Sequence, residues 1–316
     1  MPRLKPVIRR VLAAMLYYSG LLWLIAEFKL RGKATVLMYH RVLPPGTDTF
    51  SHYGIINSPD TFGLQMQFLK RHFRLLTPER FNAELTGSGF GRRSCLVTFD
   101  DGWHDNHRHA LPVLRRYEIP AIIFVATAYI GTDNTFWQER LTRLLFLASR
   151  STSFGADVLT ELDVIDCRSL RDDLAARRLR DLVTKLKQGE QTLIEDLINR
   201  LENDGKRAGE IISNFGDDHF LSWNQLQELS TSGLVTIGSH AHTHTPLPSL
   251  GYAGTHMEFE RSLQELQCHG VPAAMVCAYP QGHLDNSVID AARDVGFRLG
   301  FSTVRRSVRS DDDPLR

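Results

Sequence analysis

Two adjacent carboxylates, Asp100 and Asp101, follow the apolar run Ser94–Phe99 and precede Gly102. Neighbouring side chains on an extended chain point to opposite sides. The pair therefore suits a division of labour in which one carboxylate binds a cation and the other takes up a proton. Asp-Asp-Gly is also an ordinary turn sequence, so the triplet gains chemical meaning only with partners. Ser239-His240-Ala241-His242-Thr243-His244 supplies them. On a helical turn, His240 and His244 set both imidazoles on one face; on an extended chain, His240, His242 and His244 line one side. Either geometry offers at least two imidazoles to a common point. Two imidazoles and one carboxylate leave positions open on a divalent ion, the make-up of a catalytic site rather than a structural one. A third segment, Ala278-Tyr279-Pro280-Gln281-Gly282, joins a fixed proline to a permissive glycine, and its N–H groups can face a developing oxyanion.

These segments need a scaffold that ends several strands at one rim. Apolar runs alternate with helical patterns, which argues for βα units and a parallel sheet. Strands are expected at Thr35–Val42, Ser94–Phe99, Ala121–Thr127, Leu234–Gly238, Ala274–Tyr279 and Phe297–Thr303. Helices are expected from Ser58 through Leu69, and at Leu111–Tyr117, Trp223–Ser230, Glu258–Gln267 and Ser287–Val295. Each chemical segment then stands at the carboxyl end of a strand, the active-site rim of a β/α barrel. Residues from about 138 to 220 break the alternation. Their Arg, Asp, Glu, Leu and Ala content reads as solvated helices covering one barrel edge, or as a wall for partner or substrate.

Taken together and in this order, the segments resemble the polysaccharide deacetylases (the NodB-homology group, carbohydrate esterase family 4). The opening Val36-Leu37-Met38-Tyr39-His40-Arg41-Val42 looks like the first strand of the family's bacterial exopolysaccharide branch. Thr98-Phe99-Asp100-Asp101-Gly102 and Ser239–His244 are similar to its first two motifs, and Tyr279-Pro280-Gln281-Gly282 to its third. The resemblance implies a distorted parallel (β/α) barrel holding one divalent metal ion, usually zinc, with cobalt or nickel also compatible. It implies Asp101, His240 and His244 as metal ligands, Asp100 as general base, and a backbone N–H at Gln281 for the oxyanion. Tyr279, Pro280 and Gly282 would touch substrate, and His242 would lie outside the ligand set. The family's arginine two residues before the third-motif proline is replaced by Ala278, and no histidine follows Phe301 to act as general acid. His40, His104 and His283, each beside an expected strand end, are the candidates for that acid.

The implied activity is removal of N-acetyl groups from amino sugars of a cell-surface polysaccharide or its lipid-linked precursor. A deformylase or amidase acting on a lipid-linked sugar, and a glycan-binding member without turnover, are the alternatives. The 316 residues carry 37 Lys+Arg against 36 Asp+Glu, so no global charge points to nucleic acid. The charge is local: residues 1–33 hold Arg3, Lys5, Arg9, Arg10, Lys29, Arg31 and Lys33 against Glu27 alone. Between these flanks Val11–Ala26 is uncharged, too short for a comfortable span of about 20 residues, with Tyr17, Tyr18 and Trp23 as interfacial anchors. Residues 1–33 are therefore expected to form an apolar helix associating with a membrane, the bacterial inner membrane in this branch, with a helix buried against the catalytic domain as the alternative, and residues 34–316 the catalytic domain. The four cysteines form no CxxC pair, which argues against a disulfide scaffold.

Overall fold

The computed structural model describes residues 4–186, 191–209 and 216–316. Six parallel strands lie side by side in chain order: β1 (Lys33–Tyr39), β2 (Ser94–Phe99), β3 (Ala121–Val125), β4 (Val235–Ser239), β5 (Ala273–Ala278) and β6 (Leu299–Phe301). Sequential parallel neighbours joined by crossover helices are the β/α arrangement that the alternating pattern required. The seam between β6 and β1 is bridged by the C-terminal tail. Gly300 N–H donates to the Pro314 carbonyl at 2.8 Å, and Val308–Arg309 pairs antiparallel with Lys33–Ala34. One apolar cluster, including Leu96, Ile122, Phe124, Val276 and Leu299, packs with Phe81, Leu85 and Phe90 against one face of the sheet. A larger cluster on the other face joins Val97, Phe99, Ile123 and Ile237 to the surrounding helices.

The helix starts follow local chemistry. Ser58 caps the helix Pro59–His72 by accepting the Thr61 N–H at 3.1 Å, with proline in the first turn. Asp285 caps Asn286–Val295 in the same way through the Val288 N–H at 3.0 Å. Several expected ends move by one to three residues, and two differences have causes. The first strand stops at Tyr39, because Arg41–Val42 turns away to pair with Ile56–Asn57 in a separate ribbon. The third strand stops at Val125, where Ala126 N–H instead meets the Asp101 carbonyl at 3.3 Å.

Two expectations need correction. The N-terminal segment is not one helix but two, Leu4–Tyr18 and Leu21–Leu30, broken at Gly20 with φ of 75°. Among the described residues no single helix is long and apolar enough to cross a membrane; Val11–Tyr18 and Trp23–Leu30, bent by 80°, have the required composition only as a pair. The second helix is tied to the domain: Trp23 stacks on Phe68 at 5.8 Å under the Arg93 guanidinium, and Glu27 pairs with Arg92 and Arg93. The insertion, read from sequence as solvated helices, has a core of its own. Trp137–Arg150, Ala156–Glu161, Asp172–Leu186 and Gln191–Arg207 bury Leu144, Leu145, Val158, Leu179, Leu197 and Leu201 among themselves.

Candidate active site

Asp100 and Asp101 stand where β2 ends. Asp100 N–H still follows the strand, donating to the Tyr39 carbonyl at 2.9 Å, whereas Asp101 turns into the left-handed region at φ 79°. That turn separates the two carboxylates, and Gly102 completes it at φ 85°. A Cβ on Gly102 would lie 2.9 Å from Val125 Cγ1, so only glycine lets the turn press on β3. At the end of β4, Ala241 and His244 also take positive φ, 61° and 60°. Non-glycine residues so placed are costly, and the surroundings must hold them there. Glu258, reaching over from the helix Gly251–Cys268, does so by accepting the His242 and Thr243 N–H groups at 3.0 and 2.7 Å.

This folding brings three donor atoms together. The Nε2 atoms of His240 and His244 lie 3.5 and 3.4 Å from Asp101 Oδ1, and one donor from each of the three residues falls within 4.8 Å of the others. Atoms bound about 2.1 Å from a tetrahedral ion sit about 3.4 Å apart, so the trio fits a divalent cation. Its orientation is fixed from outside. His240 Nδ1 donates to the Ala278 carbonyl at 2.8 Å, which leaves the Nε2 lone pair for the cation. His244 stacks on Phe136 at 4.2 Å. Trp103 Nε1–H donates to Asp101 Oδ2 at 2.8 Å, which turns Oδ1 toward the imidazoles.

Trp103 is held in turn, between Phe220 at 4.3 Å and the Arg41 guanidinium at 4.2 Å. Arg41 is fully buried, paired with Asp105 at 2.9 Å and with Asp218, and bonded to Ser51 Oγ at 2.8 Å. Sequence reading missed both residues. Their positions, immediately after Asp-Asp-Gly and immediately after His40, were the available signal.

The electrostatics separate the two carboxylates. Burial raises the proton affinity of Asp100, opposed by His240 and His40 and reinforced by Asp101. Burial pushes Asp101 the same way, but the bond to His240 and charge on His40 and His244 hold it below the ordinary range. His240 is held above its usual value: burial disfavours its charge, and Asp101 and Asp100 outweigh that.

A cleft of about 280 Å³ opens over the trio, and its lining includes His40, Asp100, Asp101, His240, His244, Gln281 and Gly282. Of the three histidines considered as acids, His40 alone is in this lining. His104 packs at a tilt against His219, 4.4 Å between ring centres, beside a different cavity, and burial with nearby His219 lowers it to about 4. His283 is exposed and outside the cleft lining. His242 turns away from the trio to Thr127, Nδ1 lying 2.9 Å from its hydroxyl. Gln281 takes φ 60°. Tyr279 and Pro280 lie in the core rather than at the surface a ligand would meet, and the Tyr279 hydroxyl donates to the Leu315 carbonyl at 2.6 Å. The side chain of Tyr279 is taken up by closing the tail onto β5, which is why it cannot line the cleft. The insertion contributes Gln138, Glu139, Thr142 and Arg180 to the lining, so its helices border the cleft.

Residues 88–158 and 189–300 match the family described as polysaccharide deacetylase. YxkH of Bacillus subtilis is 24% identical over 181 residues, covering 56% of this chain and 61% of that protein. A poly-β-1,6-N-acetyl-D-glucosamine N-deacetylase of Staphylococcus epidermidis is 32% identical over 116 residues, 33% of this chain and 39% of the relative. The matches thus span less than two thirds of these curated relatives. Among solved structures, IcaB from Ammonifex degensii superposes with a TM-score of 0.57 at 22% identity, covering 89% of this chain and 88% of the other. A Streptococcus pyogenes deacetylase, PplD, in complex with acetate, gives 0.56 at 17% identity over 90% and 89%.

Proposed function

The chain belongs to the polysaccharide deacetylase family, and on that footing we propose that it hydrolyses the N-acetyl amide of amino sugars in a polymeric glycan. A polymer of β-1,6-linked N-acetylglucosamine is the first substrate to try, because staphylococcal relatives bear that name. The observation that carries the proposal is the Asp101–His240–His244 trio on the floor of the cleft that also holds Asp100 and His40.

A divalent ion in the trio would polarise the acyl carbonyl and make a water more acidic. Asp100, its proton affinity lifted by burial, takes the proton of the attacking water as oxygen bonds to the acyl carbon. The Gln281 N–H, on a residue turned into the left-handed region at φ 60°, donates to the developing oxyanion. His40 gives a proton to the amine nitrogen as the C–N bond breaks, leaving free amine and acetate. Zinc is the ion of first choice, since two imidazoles and one carboxylate are donors that zinc accepts.

The same reading extends to the N-terminus. Ile8, Leu12, Met15, Leu24 and Phe28 are more than half exposed, in a stretch flanked by basic residues on both sides. Apolar exposure between basic flanks suits a helical pair lying in the headgroup layer of an anionic membrane. Flotation with vesicles containing phosphatidylglycerol, with and without residues 1–32, tests the attachment; equal flotation would refute it. The chemistry is tested by acetate release from β-1,6-linked N-acetylglucosamine oligomers. Zinc-loaded wild type should release acetate, while Asp100→Asn and His40→Gln should each lose at least about a hundredfold, within the range general acid–base groups supply. Undiminished release by Asp100→Asn would overturn the assignment.

A further inference from the structure

The outer face of β1 is only partly covered. Its far edge pairs with the tail at Lys33 and Ala34, and a groove of about 510 Å³ lies between the strand and the helix Pro59–His72. Leu37, Leu64, Phe68, Leu69 and Phe73 line it. Of the polar groups in the lining, the Tyr39 hydroxyl donates to Gln65 Oε1 at 3.0 Å, and Thr61 Oγ1 accepts from the Ser58 hydroxyl at 2.9 Å. Burial pushes the Cys95 thiol up to about 12, so it behaves as a small neutral hydrophobe. A sugar or peptide would exchange water for mostly apolar walls here, at a cost that a hydrocarbon escapes. Leu64 and Phe68, one helical turn apart, are 68% and 40% exposed. They form an open apolar stripe beside the buried one of Phe62, Met66 and Leu69.

The surroundings of the groove decide what fills it. Phe68 stacks on Trp23 at 5.8 Å, and His72 lies 4.5 Å from the same indole. The groove therefore ends where the N-terminal helices meet the domain, on the helix that also carries Leu24 and Phe28, 63% and 82% exposed. Charge at this end is positive. Glu27 pairs with Arg92 and Arg93, and Glu118 with Lys70, which leaves the exposed Arg71 in excess. Burial, and then the charges of Arg71 and Arg93, hold His72 below its usual value. A hydrocarbon slot that ends among cations matches a molecule with an apolar chain and an anionic head. We propose that this groove takes one acyl chain of an anionic membrane lipid, whose phosphate meets Arg71. The inference deepens the membrane reading of the N-terminus. The helical pair attaches the chain, and the groove sets the side on which the catalytic domain rests.

The test titrates hexyl and octyl phosphate, below their micelle-forming concentrations, into the full chain by calorimetry. Two extra methylenes, at about fourfold each, should make octyl phosphate bind about fifteenfold tighter in wild type. Leu64→Gln should weaken octyl phosphate about tenfold and shrink that ratio. Arg71→Gln should weaken both phosphates about fivefold and leave the ratio unchanged. Both side chains are exposed, so each variant should keep its Tm within about 2 °C of wild type. An octyl-to-hexyl ratio near one, or equal octyl phosphate affinity in wild type and Leu64→Gln, overturns the groove as a lipid site. A wild-type dimer that Leu64→Gln makes monomeric would give the groove to a second copy of the chain and overturn it too. Flotation of the full chain with phosphatidylglycerol vesicles separates the two readings. Weaker flotation of Leu64→Gln supports the groove, equal flotation of both proteins overturns the groove alone, and no flotation of wild type overturns the membrane reading of residues 1–33 with it.

Discussion

Replacing Trp103 by phenylalanine isolates the contribution of a single hydrogen bond to the metal trio. The indole N–H reaches Asp101 Oδ2 at 2.8 Å, and the two side chains are 0% and 5% exposed. Phenylalanine keeps a ring between Phe220 and the Arg41 guanidinium, at the places where the indole now stacks at 4.3 and 4.2 Å. What is lost is the donor, and among the described residues no second hydrogen bond to Asp101 Oδ2 replaces it. A hydrogen bond to a charged acceptor contributes about 1.5–3 kcal/mol. With about 1.4 kcal/mol per decade, cation affinity should fall about 10- to 100-fold, the range in which removal of outer-shell partners usually falls. Competition with a chromogenic zinc chelator measures the affinity directly, and thermal unfolding of the metal-free proteins reports the packing loss separately. Zinc affinity within about twofold of wild type would refute the reasoning, because Asp101 would then need no outside help to present Oδ1.

Arg41→Met should cost about 3–5 kcal/mol in urea unfolding, since it leaves the buried Asp105 and Asp218 carboxylates without their shared cation; a loss below about 1 kcal/mol would show that the Arg41–Asp105–Asp218 cluster is not held by charge. Because His240 holds its proton above the usual imidazole value in the metal-free protein, a proton must leave when a cation binds. Cation affinity should therefore fall as pH drops through neutrality, and calorimetry in buffers of different ionisation enthalpy should detect proton release. Glu84 is held down to about 2 by hydrogen bonds and charge from Arg74, burial opposing, against 4.5 for the free side chain. A depressed carboxylate stabilises the fold above its unfolded value and loses that stabilisation as pH falls toward the folded one. Wild type should thus lose more Tm than Glu84→Gln between about pH 5 and pH 2, and parallel curves would remove this ion pair from the account.

The trio was legible from sequence because its members are motif residues at strand ends, and strand ends can be found from apolar runs. Local rules also foresaw the parallel sheet and the helix that opens at Ser58, whereas the cap at Asp285 was not read, the helix being expected from Ser287. What could not be read depends on contacts between distant segments. Arg41 finds Asp218 across 177 positions, and no local pattern marks either as half of a pair. The choice of His40 over His104 and His283 needed the cleft itself, since all three stand beside strand ends. Tyr279 looked available to a ligand from its motif, yet the tail that seals the sheet claims its hydroxyl through Leu315. The insertion's core was obscured by charge: its helices bury Leu144, Leu179 and Leu197 on one face while arginines and aspartates crowd the other. The break at Gly20 was within reach, because a glycine inside an apolar helical run costs about 1 kcal/mol relative to alanine and allows positive φ.

Metal content of the purified chain, measured by elemental analysis for wild type, Asp101→Ala, His240→Ala and Asp100→Asn, tests the central claim most directly. The geometry predicts one divalent ion per chain in wild type and in Asp100→Asn, and its loss in the other two, because Asp101 and His240 supply donor atoms and Asp100 does not. Equal metal in all four proteins, or none in wild type after incubation with zinc, would contradict the assignment of this trio and the hydrolytic chemistry built on it.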